Sequence, residues 1–224
     1  MAVHLQREIE SLKKKILRLS TMVEENVERA VRSVEKREAD LADKVIDMDK
    51  AVDIMEIEVE EECLKVLALH QPVATDLRFI VAVLKINNDL ERIGDLTVNI
   101  AERSLVLANR PDFAFSSNFP AMMEKARLML KKCLDSLVNL DAKLALEVCA
   151  SDDEVDALYR EMFEKVKTGI RQSPDSIDDY LDMLSISRHL ERIADHATNI
   201  AEDVIYMIEG SIIRHSAEKF KQQH

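Results

Sequence analysis

Residues 90–102 read LERIGDLTVNIAE and residues 190–202 read LERIADHATNIAE, one phrase written twice at a distance of one hundred positions. Nine of the thirteen positions are identical, among them Glu91/Glu191, Asp95/Asp195, Asn99/Asn199 and Glu102/Glu202. No other feature constrains the fold as strongly, because self-similarity at a fixed separation means a duplicated structural unit. A duplicated core needs only its apolar letters to recur. Here carboxylates and an amide recur beside them, which points to a duplicated site.

Both halves read as helix. Leu5, Ile9, Leu12, Ile16, Leu19, Val23, Val27, Ala30 and Val34 form one series of threes and fours, the spacing of a buried helical stripe. Three Gly and four Pro in 224 residues leave little punctuation. The pattern predicts helices over 3–36, 40–70, 75–109, 120–139, 142–172 and 176–209. Pro72 and Pro174 stand just before the two segments that carry the phrase, where proline ends a preceding helix. Helices of about thirty residues far exceed the usual mean of about eleven to twelve. They are stable where each buries a continuous stripe in a bundle. The expected fold is all-α: two tandem, duplication-related, up-down three-helix bundles over 1–110 and 121–224, joined by a linker at 111–120. That break, RPDFAFSSNFP from 110 to 120, holds two prolines and three phenylalanines, which we expect to pack between the bundles.

With about 100° per residue, Ile93, Gly94, Thr97, Ile100 and Ala101 fall within about 80° of Leu90, on the core face. Glu91, Asp95 and Glu102 share a flank of that face. The preceding segments carry matching pairs, Asp49/Asp53 in DKAVD and Asp152/Asp156 in DDEVD. Residues four apart are helix neighbours, and like charges at that spacing repel. An antiparallel pair turning at Pro72 brings Asp49 and Asp53 level with Glu91 and Asp95. Turning at Pro174, Asp152 and Asp156 come level with Glu191 and Asp195. Four carboxylates at one height require counter-charge, and an all-oxygen set suits Mg, Ca, Mn or iron rather than zinc. Glu56 and Glu60 extend the first set, whereas Tyr159 and Phe163 stand in their places in the second half. The second site is therefore expected to bind fewer ions, or to bind them more weakly.

A net charge of −12 and the absence of Trp argue against a nucleic-acid surface. They also argue against direct phosphate binding, since no Gly-rich loop offers a cradle; bound metal would have to invert the local charge first. MAVHLQREIESLKKK has no apolar core, and no stretch of about eighteen residues is free of charge, so neither a signal peptide nor a membrane span is expected. Cys63, Cys133 and Cys149 show no zinc spacing and read as reduced thiols of a cytosolic protein.

The two phrases, each preceded by a D-x-x-x-D helix and a P-x-x-x-D-[LY] helix start, resemble the PhoU family of phosphate-uptake regulators. HQPVATDLRFIVAVLKINNDLERIGD carries the likeness most densely, and it covers essentially the whole chain. The resemblance implies a cytoplasmic, homodimeric, non-enzymatic negative regulator of phosphate uptake and phosphate-starvation signalling. It would act as an adaptor between a phosphate-specific ABC transporter and a membrane sensor histidine kinase. It also implies a multinuclear metal cluster, iron in some family members, in each bundle. The residues so implied are Asp49, Asp53, Glu91 and Asp95, then Asp152, Asp156, Glu191 and Asp195.

Two other readings fit long bundles with carboxylates. A ferritin-like di-metal oxidoreductase would need Glu-x-x-His ligand pairs, and the chain has none. The wheel puts His189 and His196 near 240–260°, away from the carboxylates, as surface histidines. A structural scaffold with an acidic face would bind no metal. No Ser-His-Asp pattern, nucleotide loop or base-paired Cys is present, so no catalytic residue is assigned.

Overall fold

The computed structural model describes residues 2–110, 113–115 and 118–211. Six helices account for almost all of them: α1 Ala2–Lys36, α2 Ala39–His70, α3 Ala74–Ala108, α4 Phe119–Asn139, α5 Ala142–Gln172 and α6 Ile177–Glu209. A single 3-10 turn, Pro174–Ser176, leads into α6. Each bound falls within a residue or so of the periodicity reading, and no strand occurs among the described residues.

Local chemistry sets the ends. The Asp141 carboxylate accepts the backbone N–H of Leu144 at 3.0 Å, capping α5. Gly210 closes α6 at φ 76, a left-handed conformation glycine adopts without penalty. Arg37, Gln71 and Leu140 take the same conformation after α1, α2 and α4 without being glycine.

α1, α2 and α3 pack on one another as one bundle, and α4, α5 and α6 as the second. The buried series of α2 runs Ala42, Val45, Val52, Met55, Val59, Cys63, Val66. It skips one beat, and Asp49 occupies it. The α5 series Ala145, Val148, Val155, Met162, Val166, Gly169 skips the same beat at Asp152. Each bundle thus places a carboxylate where its core would otherwise have an aliphatic side chain. Cys63 and Cys133 are buried and Cys149 is partly covered, none of them in a disulfide.

The halves are fused along α3 and α6, which run side by side. Lys85 of α3 meets Asp203 of α6 at 3.0 Å, and Asp203 is only 2% exposed. At the other edge Arg127 of α4 reaches Glu28 of α1 at 3.0 Å. One continuous apolar core runs through all six helices.

The expected linker falls partly outside the described residues, at 111, 112, 116 and 117, and its last two positions, Phe119 and Pro120, already belong to α4. The described part is tied down by Arg37. That guanidinium donates to the carbonyls of Leu107 at 2.9 Å and Arg110 at 2.7 Å, donates to that of Phe113, and lies over the Phe115 ring. Phe113 meets Tyr180 of α6 edge-on, and Phe115 packs against Phe119 with centroids 4.9 Å apart. The phenylalanines do bridge the halves. The tail IIRHSAEKFKQQH, whose letters read as a helix end giving way to a polar terminus, lies outside the described residues.

Candidate metal centre

Each quartet sits where a skipped beat of α2 or α5 faces the phrase on α3 or α6. In the N-terminal bundle the close approach depends on Gly94. A Cβ there would lie 3.3 Å from Val52 Cγ1 and 3.6 Å from Asp49 Oδ1, so glycine lets α2 settle directly beneath the phrase. Its counterpart in α6, Ala194, is buried.

Burial and like charge act together on the carboxylates. Asp49 is pushed up to about 6, first by burial and then by the charges of Asp53, Asp95 and Glu91. Glu91 is raised by burial and by Asp95, against a counter-effect of Arg92. In the C-terminal bundle burial raises Asp152, Glu191 and Asp195. Asp195 and Asp156 add to the shift of Glu191, and Asp152 and Asp156 to that of Asp195. All eight residues therefore lie in the two expected groups of four, each within electrostatic reach of its fellows.

The groups differ in how tightly the oxygens gather. One carboxylate oxygen from each of Asp156, Glu191 and Asp195 lies within 4.8 Å of the other two, and no other such trio occurs among the described residues. Asp152 stands aside, accepting the Thr198 hydroxyl at 3.2 Å. In the N-terminal group Arg92 draws on Glu91 and Asp95, each at 3.5 Å. Glu56 takes two hydrogen bonds from the buried Asn87 amide, 3.0 Å to its carbonyl and 2.9 Å to its carboxylate. The Asn87 Oδ1 is buried with no partner among the described residues.

Sequence reasoning missed Gly94, Asn87 and Thr198. Gly94 and Thr198 lie inside the phrase at positions where the copies differ, and that difference was the available signal. The repeated amide, by contrast, is no part of the site. Asn99 donates to the carbonyl of Asp95 at 2.9 Å on its own helix and faces solvent.

His189 and His196 require a correction. Neither is a surface histidine, and the His196 charge reaches Asp195. His196 Nδ1 is 2.8 Å from Asp89 Oδ1 on α3, with the ring mostly covered. His189 is held below the usual histidine range by burial and neighbouring arginines, and its Nδ1 is buried without a partner among the described residues. A helical wheel records one packing partner; the far flank of α6 meets α3 of the other half rather than water.

A model of the PhoU domain matches the chain twice, at residues 16–104 and 119–204. The chain belongs to the PhoU family. A relative from Aquifex aeolicus, named phosphate-specific transport system accessory protein PhoU homolog, is 37% identical over 215 residues, covering 96% of this chain and 97% of the relative. One of the same name from Pseudomonas putida is 35% identical over 213 residues, covering 95% and 83%. The crystal structure of PhoU from Pseudomonas aeruginosa superposes with a TM-score of 0.89 at 34% identity, over 92% of this chain and 99% of that one. The phosphate transport system regulatory protein PhoU from Streptococcus pneumoniae gives 0.85 at 26% identity, over 93% and 98%. The PhoU fold thus holds across both bundles.

The donor chemistry fits a hard or borderline cation: oxygens only, three of them converging, with raised proton affinities that a bound charge would reverse. Before metal is added, the cost of crowding should be measurable. The Asp49 carboxyl moves from an ordinary 3.8 to about 6 in the folded chain, so the fold holds that proton more tightly than the unfolded chain does. Its contribution is fully present below about 3.8 and is lost as pH rises through about 6. Discounted for partial exposure and screening, this is on the order of 1–2 kcal/mol. In chelator-treated protein Asp49→Asn should therefore be the more stable form at pH 7.5, and the two should converge at pH 4. Urea unfolding at both values checks this, and a difference that ignores pH would refute it.

Proposed function

We propose that the chain is an accessory regulator of phosphate transport. It restrains uptake and phosphate-starvation signalling as a non-enzymatic adaptor between a phosphate-specific ABC transporter and a membrane sensor histidine kinase. One observation carries this reading: the PhoU domain match spans both bundles, with relatives named as accessory proteins of that transport system over nearly their full length. No helix among the described residues is long and apolar enough to cross a membrane, so the membrane components would be reached by docking. We assign the adaptor to the cytoplasmic side and to a homodimer.

Asp49, Asp53, Glu91 and Asp95 would hold metal in one bundle, and Asp152, Asp156, Glu191 and Asp195 in the other. A bound cation cluster supplies positive charge on an otherwise acidic flank, which the residues alone cannot offer to an anion. Within the protein's own chemistry, Gly94 sets the helix spacing, Thr198 orients Asp152, and Arg92 holds Glu91 and Asp95 while the flank is anionic. The test is phosphate uptake in the source cells after deletion of this chain. Uptake in phosphate-rich medium should rise and return to its restrained level when the chain is restored. Unchanged uptake in the deletion strain would remove the regulatory reading.

A further inference from the structure

The outward face of α2 is apolar where nothing among the described residues covers it. Ile54, Ile57 and Leu64 are 60%, 52% and 54% exposed. With Glu61 and Ala68, also exposed, they recur at 54, 57, 61, 64 and 68, the three-four alternation of a helix that packs along another helix. The row spans about 21 Å, roughly four turns. Duplication supplies an internal control. The α2 core positions Val52, Val59 and Cys63 correspond to Val155, Met162 and Val166 of α5. On the same register the outward row of α5 is Ala157, Arg160, Glu164, Lys167 and Arg171, polar throughout but for one alanine. The apolar row therefore belongs to α2 alone.

Charge selects what covers it. The α2 sequence carries ten Asp and Glu against three Lys, where α5 carries seven against five Lys and Arg. Glu58, on the α1 side of the row, is answered by Lys15 at 3.8 Å. Asp53 and Glu60 on the other edge, and Glu61 within the row, have no cationic partner at ion-pair distance among the described residues. A second copy of the face would bring these acids against one another, and an anionic lipid surface would be repelled. We infer that the Ile54–Ile57–Leu64 face of α2 docks an amphipathic helix of a partner protein whose apolar stripe is flanked by Lys or Arg. Its stripe covers the isoleucines and the leucine, and its cations meet Glu60 and Glu61. This goes beyond the regulatory reading.

The test uses the full chain and a fluorescent synthetic peptide of about 20 residues, with Leu and Ile in heptad positions and Lys and Arg on both flanks. Anisotropy should report micromolar binding that weakens as salt is raised. Ile57→Ser with Leu64→Ser should weaken it by at least about 30-fold, since two apolar anchors are lost. Arg160→Ser with Lys167→Ser on α5 should not weaken it. All four side chains face solvent, and thermal melting checks that both variants are folded. Equal binding of a scrambled or Glu-flanked peptide would overturn the inference, as would no binding below about 100 µM, or no effect of the α2 variant. A dimer of this chain that the α2 variant dissociates would reassign the face to a second copy. Binding to anionic vesicles lost in that variant would reassign it to a lipid surface.

Discussion

Glu191→Gln combined with Asp195→Asn is expected to weaken Mn2+ binding at the C-terminal quartet by on the order of 100-fold, leaving the N-terminal quartet intact. These residues supply two of the three oxygens that converge within 4.8 Å, and the third, from Asp156, cannot hold a divalent ion alone. For Asp152 to substitute it would have to give up the Thr198 hydroxyl. Calorimetry on chelator-stripped protein should therefore show two classes of site in the wild type and one in the variant. The N-terminal class should take more ions, because Glu56 and Glu60 flank it where Tyr159 and Phe163 flank the other. Inorganic phosphate should bind only after metal is loaded. Phosphate uptake by stripped protein would sink the charge-inversion idea, and equal, near-zero metal in both proteins would favour a bare acidic scaffold.

Phe119→Ala is expected to cost about 3–5 kcal/mol. Phe119 is among the largest side chains that are wholly buried, and it lies at the first turn of α4, where the chain crosses from one half to the other. It is the inner end of a relay of rings. Phe115 packs on it, Phe113 meets Phe115 at 6.1 Å, and Tyr180 of α6 meets Phe113 at 5.1 Å. Arg37 closes the set from α1. Alanine would leave a void in a close-packed interior, where partial collapse recovers little. Urea unfolding measures the loss, with a melting shift of about 2–4 °C per kcal/mol as a second reading. A loss below about 1 kcal/mol would show that the junction contributes little.

Much of this was legible before any coordinates, for identifiable reasons. Helix extents follow from unbroken three-four spacing such as Leu5 to Val34, with Pro72 and Pro174 supplying the breaks. The quartets follow from helix pitch and a turn of known position, which set Asp49 against Asp95 and Asp152 against Asp195. Legibility ended where a second partner intervened. His196 was misjudged because its flank of α6 looks solvated until α3 of the other half is laid upon it. Arg37 escaped notice because three carbonyls of a loop form no pattern in the letters. Gly94 and Thr198 carry their roles at positions where the two copies differ, which a shared phrase does not mark.

The fusion of α3 with α6 bears on what this duplication can be used for. Around α3, Leu90 and Ile93 are buried, Glu91 and Asp95 face the carboxylates of α2, and Lys85 and Asp89 face α6. Three sides of the helix are therefore committed, leaving Arg92 and Asn99 to solvent. A half cut free of its twin would expose an apolar flank and take Lys85 away from Asp203. The portable unit, for evolution as for the engineer, is the inseparable pair.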